Sequence, residues 1–231
     1  MLVKNWMTKE VITIDPEDSM QHAMTLMKER KIRMLPVVQR GKLVGIVSDT
    51  DLKRASASDA TVLDVHEMLY LLSKIKIRDI MTREPLTVHP DLTVEETAQF
   101  LLEHKISGAP VVDENAKVVG VITRDDLFKV LIALSGLGNH GIQFAFQIED
   151  RPGSIKELAD IIREHGGRIA SILTSYARVP EGYRNVYLRI YDLPREVLPA
   201  LQAQLKDQAK MLYVVDHREN RREIHHDTAG A

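Results

Sequence analysis

Two eight-residue phrases hold the residue types that could handle a ligand. Gly120-Val-Ile-Thr-Arg-Asp-Asp-Leu127 ends a small, apolar run in a threonine, with an aspartate three positions on. Gly45-Ile-Val-Ser-Asp-Thr-Asp-Leu52 repeats it, with Ser48 for Thr123 and Asp51 for Asp126. Leu127, Val130, Leu131 and Leu134 then recur at helical spacing, so the phrase reads as a buried strand turning directly into a helix. Two chemistries are open for the hydroxyl and carboxylate in that first turn. They form a capping box that satisfies the helix's orphan N–H groups, or the same N–H groups and the positive end of the helix dipole receive a phosphate.

The elements that must position these groups repeat as well. Trp6-Met7-Thr8 faces Ile80-Met81-Thr82, and Pro16 faces Pro90. Lys31-Ile32-Arg33-Met34-Leu35-Pro36-Val37-Val38 faces Lys105-Ile106-Ser107-Gly108-Ala109-Pro110-Val111-Val112. Each unit reads as a short strand, a helix, a strand pair joined by a polar turn, and a second helix. In the first unit Val11–Ile14 is the short strand, and Met20, Ala23, Met24 and Met27 share one helix face. In the second, Thr93 and Glu96 form a capping box ahead of Ala98, Leu101 and Leu102. The polar turns are Gln39–Lys42 and Asp113–Lys117. The methionine stripe is read as core packing rather than an adaptable binding face. Between the units, residues 55–60 suggest a loop or fraying helix end. Val62 to Leu72 then carries Val65, Met68, Leu69 and Leu72 at helical spacing, an extra helix that packs within the chain or, as the alternative, on another subunit.

With the Met-Thr opening, the Pro-Val-Val run and the Gly-(apolar)₂-[Ser/Thr]-x-x-Asp phrase recurring in order, both units resemble cystathionine-β-synthase-type (CBS) motifs. The pair, over residues 1–135 (about 1–60 and 75–135, with a linking helix at about 61–74), resembles a Bateman module. The resemblance implies a regulatory ligand such as AMP, ADP, ATP or S-adenosylmethionine in clefts between the motifs, with no required cofactor. It implies that Asp51 and Asp126 hold ribose hydroxyls and that Ser48 and Thr123 lie near the phosphate. It also implies that Arg33, three residues before the proline, meets phosphate. The second unit has Ser107 at that place, and Arg124 is expected to compensate from the helix turn. Adenine would lie against backbone near Thr13 and Ile14, or near Thr87 and Val88. The chemistry fits these roles. A carboxylate accepts two hydroxyl protons from a diol, and a guanidinium binds phosphate in bidentate fashion.

Ser135-Gly-Leu-Gly-Asn-His-Gly141 breaks the pattern and reads as a linker, 136–141. Its Gly-x-Gly lacks the strand and spacing of a dinucleotide fingerprint. Beyond it Ile142, Phe144, Phe146 and Ile148 alternate with polar or small residues, a half-buried strand. A helix follows with Ile155, Leu158, Ala159 and Ile162 on one face, ended by Gly166-Gly167. A strand runs from Ile169 to about Val179, and the Pro180–Tyr183 turn leads into one with Val186, Leu188 and Ile190 inward. A helix with Leu198, Leu201 and Leu205 and a last strand, Met211–Val215, complete a ferredoxin-like β-α-β-β-α-β order. This order and the Asp150-Arg-Pro-Gly153 turn resemble an ACT domain over 142–217. That resemblance implies side-by-side pairing of sheets and an amino-acid ligand at Asp150 and Gly153. Arg168-Ile169 departs from the Asn-Ile found in many members. Residues 218–231 read as a charged tail, without structure or as a helix end.

The chain has 231 residues, enough for two domains with real cores, and 31 basic against 33 acidic side chains. Near-balance argues against a nucleic-acid surface. Without cysteine there is no thiol chemistry or disulfide framework. There is also no Gly-x-Ser-x-Gly elbow and no Walker loop. His225-His226 forms no preformed metal site, and no metal is expected. No membrane-length apolar run or signal peptide is read, so a cytoplasmic location is expected. The two halves together are similar to the acetoin-utilisation (AcuB) type of regulatory protein. The expectation is an α+β, non-enzymatic, homodimeric sensor in which an adenine nucleotide at the CBS pair controls a partner protein. A ligand-free dimerisation scaffold and an amino-acid sensor acting through the ACT-like half are the alternatives.

Overall fold

The structure, a computed structural model, describes residues 1–58, 70 and 72–225. It divides into two compact units, Met1–Phe128 and Lys129–Ala231. No helix among the described residues is long and apolar enough to cross a membrane.

In the first unit each repeat builds the same piece. Ser19 caps α1 (Met20–Arg30) by accepting the His22 N–H at 3.2 Å, and Lys31 ends it at φ 53°. β1 (Met34–Gln39) and β2 (Lys42–Ser48) pair antiparallel, and α2 (Asp49–Ser58) follows β2 with no residue between. In the second repeat the Thr93–Glu96 capping box opens α4 (Val94–Glu103) with reciprocal bonds of 3.1 and 2.8 Å. β4 (Gly108–Val112) pairs with β5 (Val118–Thr123), which runs straight into α5 (Arg124–Leu134).

The helical stripes differ in detail from the sequence reading. Met20, Ala23 and Met27 are buried, but Met24 is half out of the core. α4 buries Val94, Thr97 and Leu101 and leaves Leu102 outward. Of the apolar residues on α5 only Val130 is deeply buried, and Leu131 and Leu134 are exposed. Nor does Val11–Ile14 form a strand. Ile14 alone bridges Val37, exchanging bonds of 3.1 and 2.9 Å with Pro36 and Val38. The Asp15 side chain then accepts the Glu17 N–H, an Asx turn that redirects the chain at once. Val88 makes the same bridge to Val111. Of the extra helix expected over 62–72, most lies outside the described residues. Leu72 is helical and packs in the first repeat's core.

The segments leading the repeats are exchanged. Thr8 pairs with Val121 on β5 of the second repeat. Thr82, after the short helix α3 (Ile77–Ile80), opens β3 (Thr82–Arg83), which pairs with Gly45 and Ile46 on β2 of the first. This exchange explains the glycine that opens each phrase. A Cβ on Gly120 would stand 2.3 Å from Met7 Sδ, and one on Gly45 2.6 Å from Met81 Sδ. Gly120→Ala is expected to cost about 1–3 kcal/mol, because the whole Met7 side chain must yield in a packed site. Urea unfolding followed through Trp6, the sole tryptophan, measures it.

The second unit holds a five-stranded sheet in the order β10-β9-β6-β8-β7, with each neighbouring pair antiparallel. Its strands are β6 (Ile142–Glu149), β7 (Arg168–Ser175), β8 (Tyr183–Tyr191), β9 (Lys210–Asp216) and β10 (Arg221–Ile224). With α6 (Ser154–Glu164) and α7 (Leu198–Gln208) the chain order is β-α-β-β-α-β, with β10 added. Phe144, Phe146, Leu158, Ile162, Leu188, Leu201 and Leu205 meet in one core. The tail reading is corrected as far as residue 225: Arg221–Ile224 pair with Tyr213–Asp216 as an edge strand. A turn held by Arg218, which binds Asp216 at 2.8 Å and the Leu193 carbonyl at 2.7 Å, folds this charged segment back. Such a short, charged strand suits a sheet edge.

His217 should make this unit sensitive to pH. Burial first, then the charges of Arg189, Arg222 and His140, hold its imidazole below the usual range, with Asp216 pulling the other way. Its buried Nε2 has no hydrogen-bond partner among the described residues. The fold therefore favours the neutral ring, while the unfolded chain takes up the proton near pH ~6.5. Stability present above that pH is lost as pH falls through it toward the lower folded value. Urea unfolding at about pH 7.5 and about pH 5.5 should show a smaller loss for His217→Gln than for the wild type.

Candidate functional site

Each phrase places its hydroxyl at the end of a strand and its carboxylate in the first turn of a helix. The Asp51 carboxylate Oδ2 accepts the Ser48 N–H at 2.9 Å and the Ser48 hydroxyl at 2.6 Å, while the Asp51 N–H donates to Ser48 Oγ at 3.3 Å. Asp126 Oδ2 accepts the Thr123 N–H at 3.0 Å and the Thr123 hydroxyl at 2.7 Å. One carboxylate oxygen of each is therefore occupied by capping. Asp126 is 5% exposed, whereas Asp51 is half-buried.

The strand starts complete the arrangement. Met34 lies opposite Ser48 and Gly108 opposite Thr123, so Arg33 and Ser107 stand at equivalent corners. The Asp49 N–H donates to the Arg33 carbonyl at 2.9 Å, and the Arg124 N–H donates to the Ser107 carbonyl at 3.0 Å. Each corner thus holds one arginine, just before the strand in the first repeat and on the helix in the second. Both arginines are exposed, and neither makes a side-chain hydrogen bond or ion pair among the described residues. Asp49, whose N–H binds the Arg33 carbonyl, is the neighbour that the sequence did not bring together with these arginines.

The residues read as an adenine wall divide by side chain and backbone. Ile14 and Val88 turn into the core, at 3% exposure each, and their backbones are engaged by Pro36, Val38, Pro110 and Val112. Thr13 is exposed and Thr87 half-buried beside them. Of these four residues, the two threonines are the ones whose side chains remain outside the core.

In the second unit Gly153 stands at φ 90° before α6, a left-handed conformation that favours glycine whether or not a ligand approaches. Its Cβ direction is open, with only Glu157 Oε1 at 4.0 Å. Arg151 grips Glu157 with bonds of 2.8 and 2.7 Å, and Asp150 lies 3.4 Å from Arg184 Nε. A hollow of about 250 Å³ opens beside the turn, lined by Gln147, Arg151, Glu157, Tyr183, Gln208 and others, but not by Asp150 or Gly153. Among the described residues no group of three His, Asp or Glu could hold a metal ion.

Comparison with known proteins bears on the first unit's motifs. A family model for the CBS domain matches residues 3–58 and 77–133. The chain is similar to protein MJ1426 of Methanocaldococcus jannaschii, at 30% identity over 57% of this chain and 92% of that protein. It is similar to an inosine-5'-monophosphate dehydrogenase of Korarchaeum cryptofilum at 34% identity over 54% of this chain, but spans only 23% of that enzyme. Among solved structures it resembles an acetoin utilization protein (AcuB) from Vibrio cholerae, at 29% identity and TM-score 0.51, covering 60% of this chain and 95% of that one. The CBS domain pair of protein MJ0100, solved in complex with 5'-methylthioadenosine and S-adenosyl-L-methionine, is 33% identical over 57% of this chain and 95% of that one, with TM-score 0.49.

Proposed function

The chain belongs to the family of CBS-domain proteins, and from that premise we propose that it is a non-enzymatic sensor of adenosine nucleotides. The observation that carries this reading is the doubled corner. The same hydroxyl–carboxylate pair recurs at two strand-to-helix junctions, each with one exposed arginine beside it. Capping alone explains the pair but gives no reason for an arginine at both corners. Asp51 and Asp126 hold the ribose diol, and Ser48, Thr123, Arg33 and Arg124 meet the phosphate. The base lies along the backbone at Thr13–Ile14 and Thr87–Val88.

A thermal-shift screen against AMP, ADP, ATP, S-adenosylmethionine and amino acids tests the reading. A ligand at a hundred times its Kd stabilises the fold by about 2.7 kcal/mol, so a genuine ligand raises the Tm by several degrees. An amino acid acting alone would favour the ACT-like half, and no shift at all the ligand-free scaffold. Arg33→Ala and Arg124→Ala are expected to weaken AMP and ATP binding by about 1.5–3 kcal/mol per lost charged bond and to spare adenosine. Calorimetric titration of adenosine and AMP against each variant makes the comparison. Equal loss for both ligands would remove the phosphate role.

Output through a partner, in the cytoplasm and from a homodimer, belongs to the same proposal. Phe128, Leu131 and Ile132 give α5 an exposed apolar stripe, at 60, 58 and 51% exposure, of the kind that marks an interaction surface. The sheet order and the Asp150–Gly153 turn support an ACT-like reading of the second unit. Light scattering that gave a monomer mass at micromolar concentration would end the homodimer.

A further inference from the structure

The face of the second unit's sheet turned away from α6 and α7 carries an uncompensated positive charge. Leu188 and Ile190 point into the core, so Arg189 between them stands on the opposite face. Cross-strand pairing sets it in one row, Arg222, Val215, Gln143, Arg189 and Ser171, running from β10 to β7. Arg189 is 4% exposed. Its Nε donates to the carbonyl of Ser135, at the end of α5, at 2.7 Å and its Nη2 to Gln143 Oε1 at 3.0 Å. Its buried Nη1 has no partner among the described residues. Both acceptors are neutral. A guanidinium keeps its proton in a protein, and burying a charge without an opposite one is costly.

Nothing beside Arg189 supplies the missing charge. Its row holds no Asp or Glu. In the next row Tyr213 and Tyr187 flank Ala145. Burial first, then the neighbouring Tyr187, push the Tyr213 hydroxyl above its usual range, so it stays neutral. Asp216 belongs to the core face, in a hollow with Val214 and Leu198, where Arg218 binds it at 2.8 Å. The neighbours of Arg189 are further donors. His217, two residues beyond Val215 on the same face, has a buried Nε2 without a partner among the described residues. The charges of Arg189, Arg222 and His140 all bear on its ring. Gln143 gives its carbonyl oxygen to Arg189, which leaves its amide N–H groups to donate. Arg222 and His140 are exposed, so the cationic group runs inward from solvent to the guanidinium. It lies by the first residues of β6, at the far end of that strand from the Asp150–Gly153 turn.

We propose that this face binds a small carboxylate, a monoanion that Arg189, Gln143 and His217 hold by donation alone. One uncompensated charge calls for one negative charge, and the flat fork of a guanidinium matches the two coplanar oxygens of a carboxylate. Phosphate, tetrahedral and with a second negative charge, exceeds both. None of this depends on the nucleotide reading of the first unit. Titration of the full chain with sodium acetate, followed by NMR at the His217 ring and Arg189 Nε–H signals, tests it, with phosphate and chloride at equal ionic strength beside it. Acetate is expected to shift both signals saturably, phosphate more weakly, and chloride without saturation. In Arg189→Met the saturable shift at His217 should vanish, and Arg189→Lys, a point charge without the fork, should weaken acetate about tenfold or more. A shift of the same size for all three anions is screening alone and overturns the site. Acetate binding undiminished in Arg189→Met overturns it too, and phosphate binding more tightly than acetate overturns the carboxylate assignment. Should Arg189→Met fail to fold, His217→Gln, read at the Arg189 Nε–H signal, takes its place. Acetate affinity is then expected to fall several-fold, and unchanged affinity overturns the site.

Discussion

Gly141→Ala is expected to destabilise the second unit by at least about 3 kcal/mol, the largest stability loss of the substitutions considered. A Cβ built on Gly141 would sit 1.8 Å from the Ile190 carbonyl oxygen and 2.8 Å from its carbon. Both are backbone atoms, so no rotamer change relieves the contact. Ile142, the next residue, pairs with Ile190 and opens β6, the strand between β8 and β9, and the Gly141 carbonyl accepts the His217 N–H at 3.1 Å. Moving Gly141 away therefore disturbs the register at the middle of the sheet. Gly138→Ala, where nothing lies within 4 Å of the added Cβ, is the control, expected to change stability by less than about 0.5 kcal/mol. Urea unfolding of both variants by circular dichroism measures the difference. Equal midpoints would show that the chain does not cross β8 as described.

The largest expected effect on binding belongs to Asp51→Asn and Asp126→Asn. Each carboxylate lies at the third helical position and accepts from its own Ser48 or Thr123 through one oxygen. An amide carbonyl still accepts there, so the capping loss should stay within about 0.5–2 kcal/mol. A diol held by the same group loses a charged acceptor, worth on the order of 1–3 kcal/mol, or about five- to 150-fold in affinity at the altered site. Nucleotide titration beside a ligand-free melt separates the two effects. Lower Tm with unchanged affinity in both variants would make these groups caps and nothing more.

Local signals carried much of this into the sequence. The Thr93–Glu96 box, the polar turns and the alternation of Ile142, Phe144, Phe146 and Ile148 each depend on neighbours a few residues away, and each was legible. Long-range pairings were not. Nothing near Gly120 announces that Met7 will lie on it, and nothing near Gly45 announces Met81, because exchanged leading segments leave no periodic trace. Arg189 reads as one polar residue in an alternating strand, and only the folded sheet reveals it as a buried cation under a helix end. In the tail, high charge argued for disorder, whereas an edge strand of four residues can leave its charges in water.

Whether the doubled corner binds an adenosine nucleotide is decided by one calorimetric experiment. Wild-type protein and the double variant Asp51→Asn, Asp126→Asn are titrated with AMP and with ATP, after circular dichroism has shown that both are folded. The account predicts saturable binding to the wild type and binding weakened at both sites in the double variant. A wild type that takes up neither nucleotide, or a folded double variant that binds as tightly as the wild type, would contradict it.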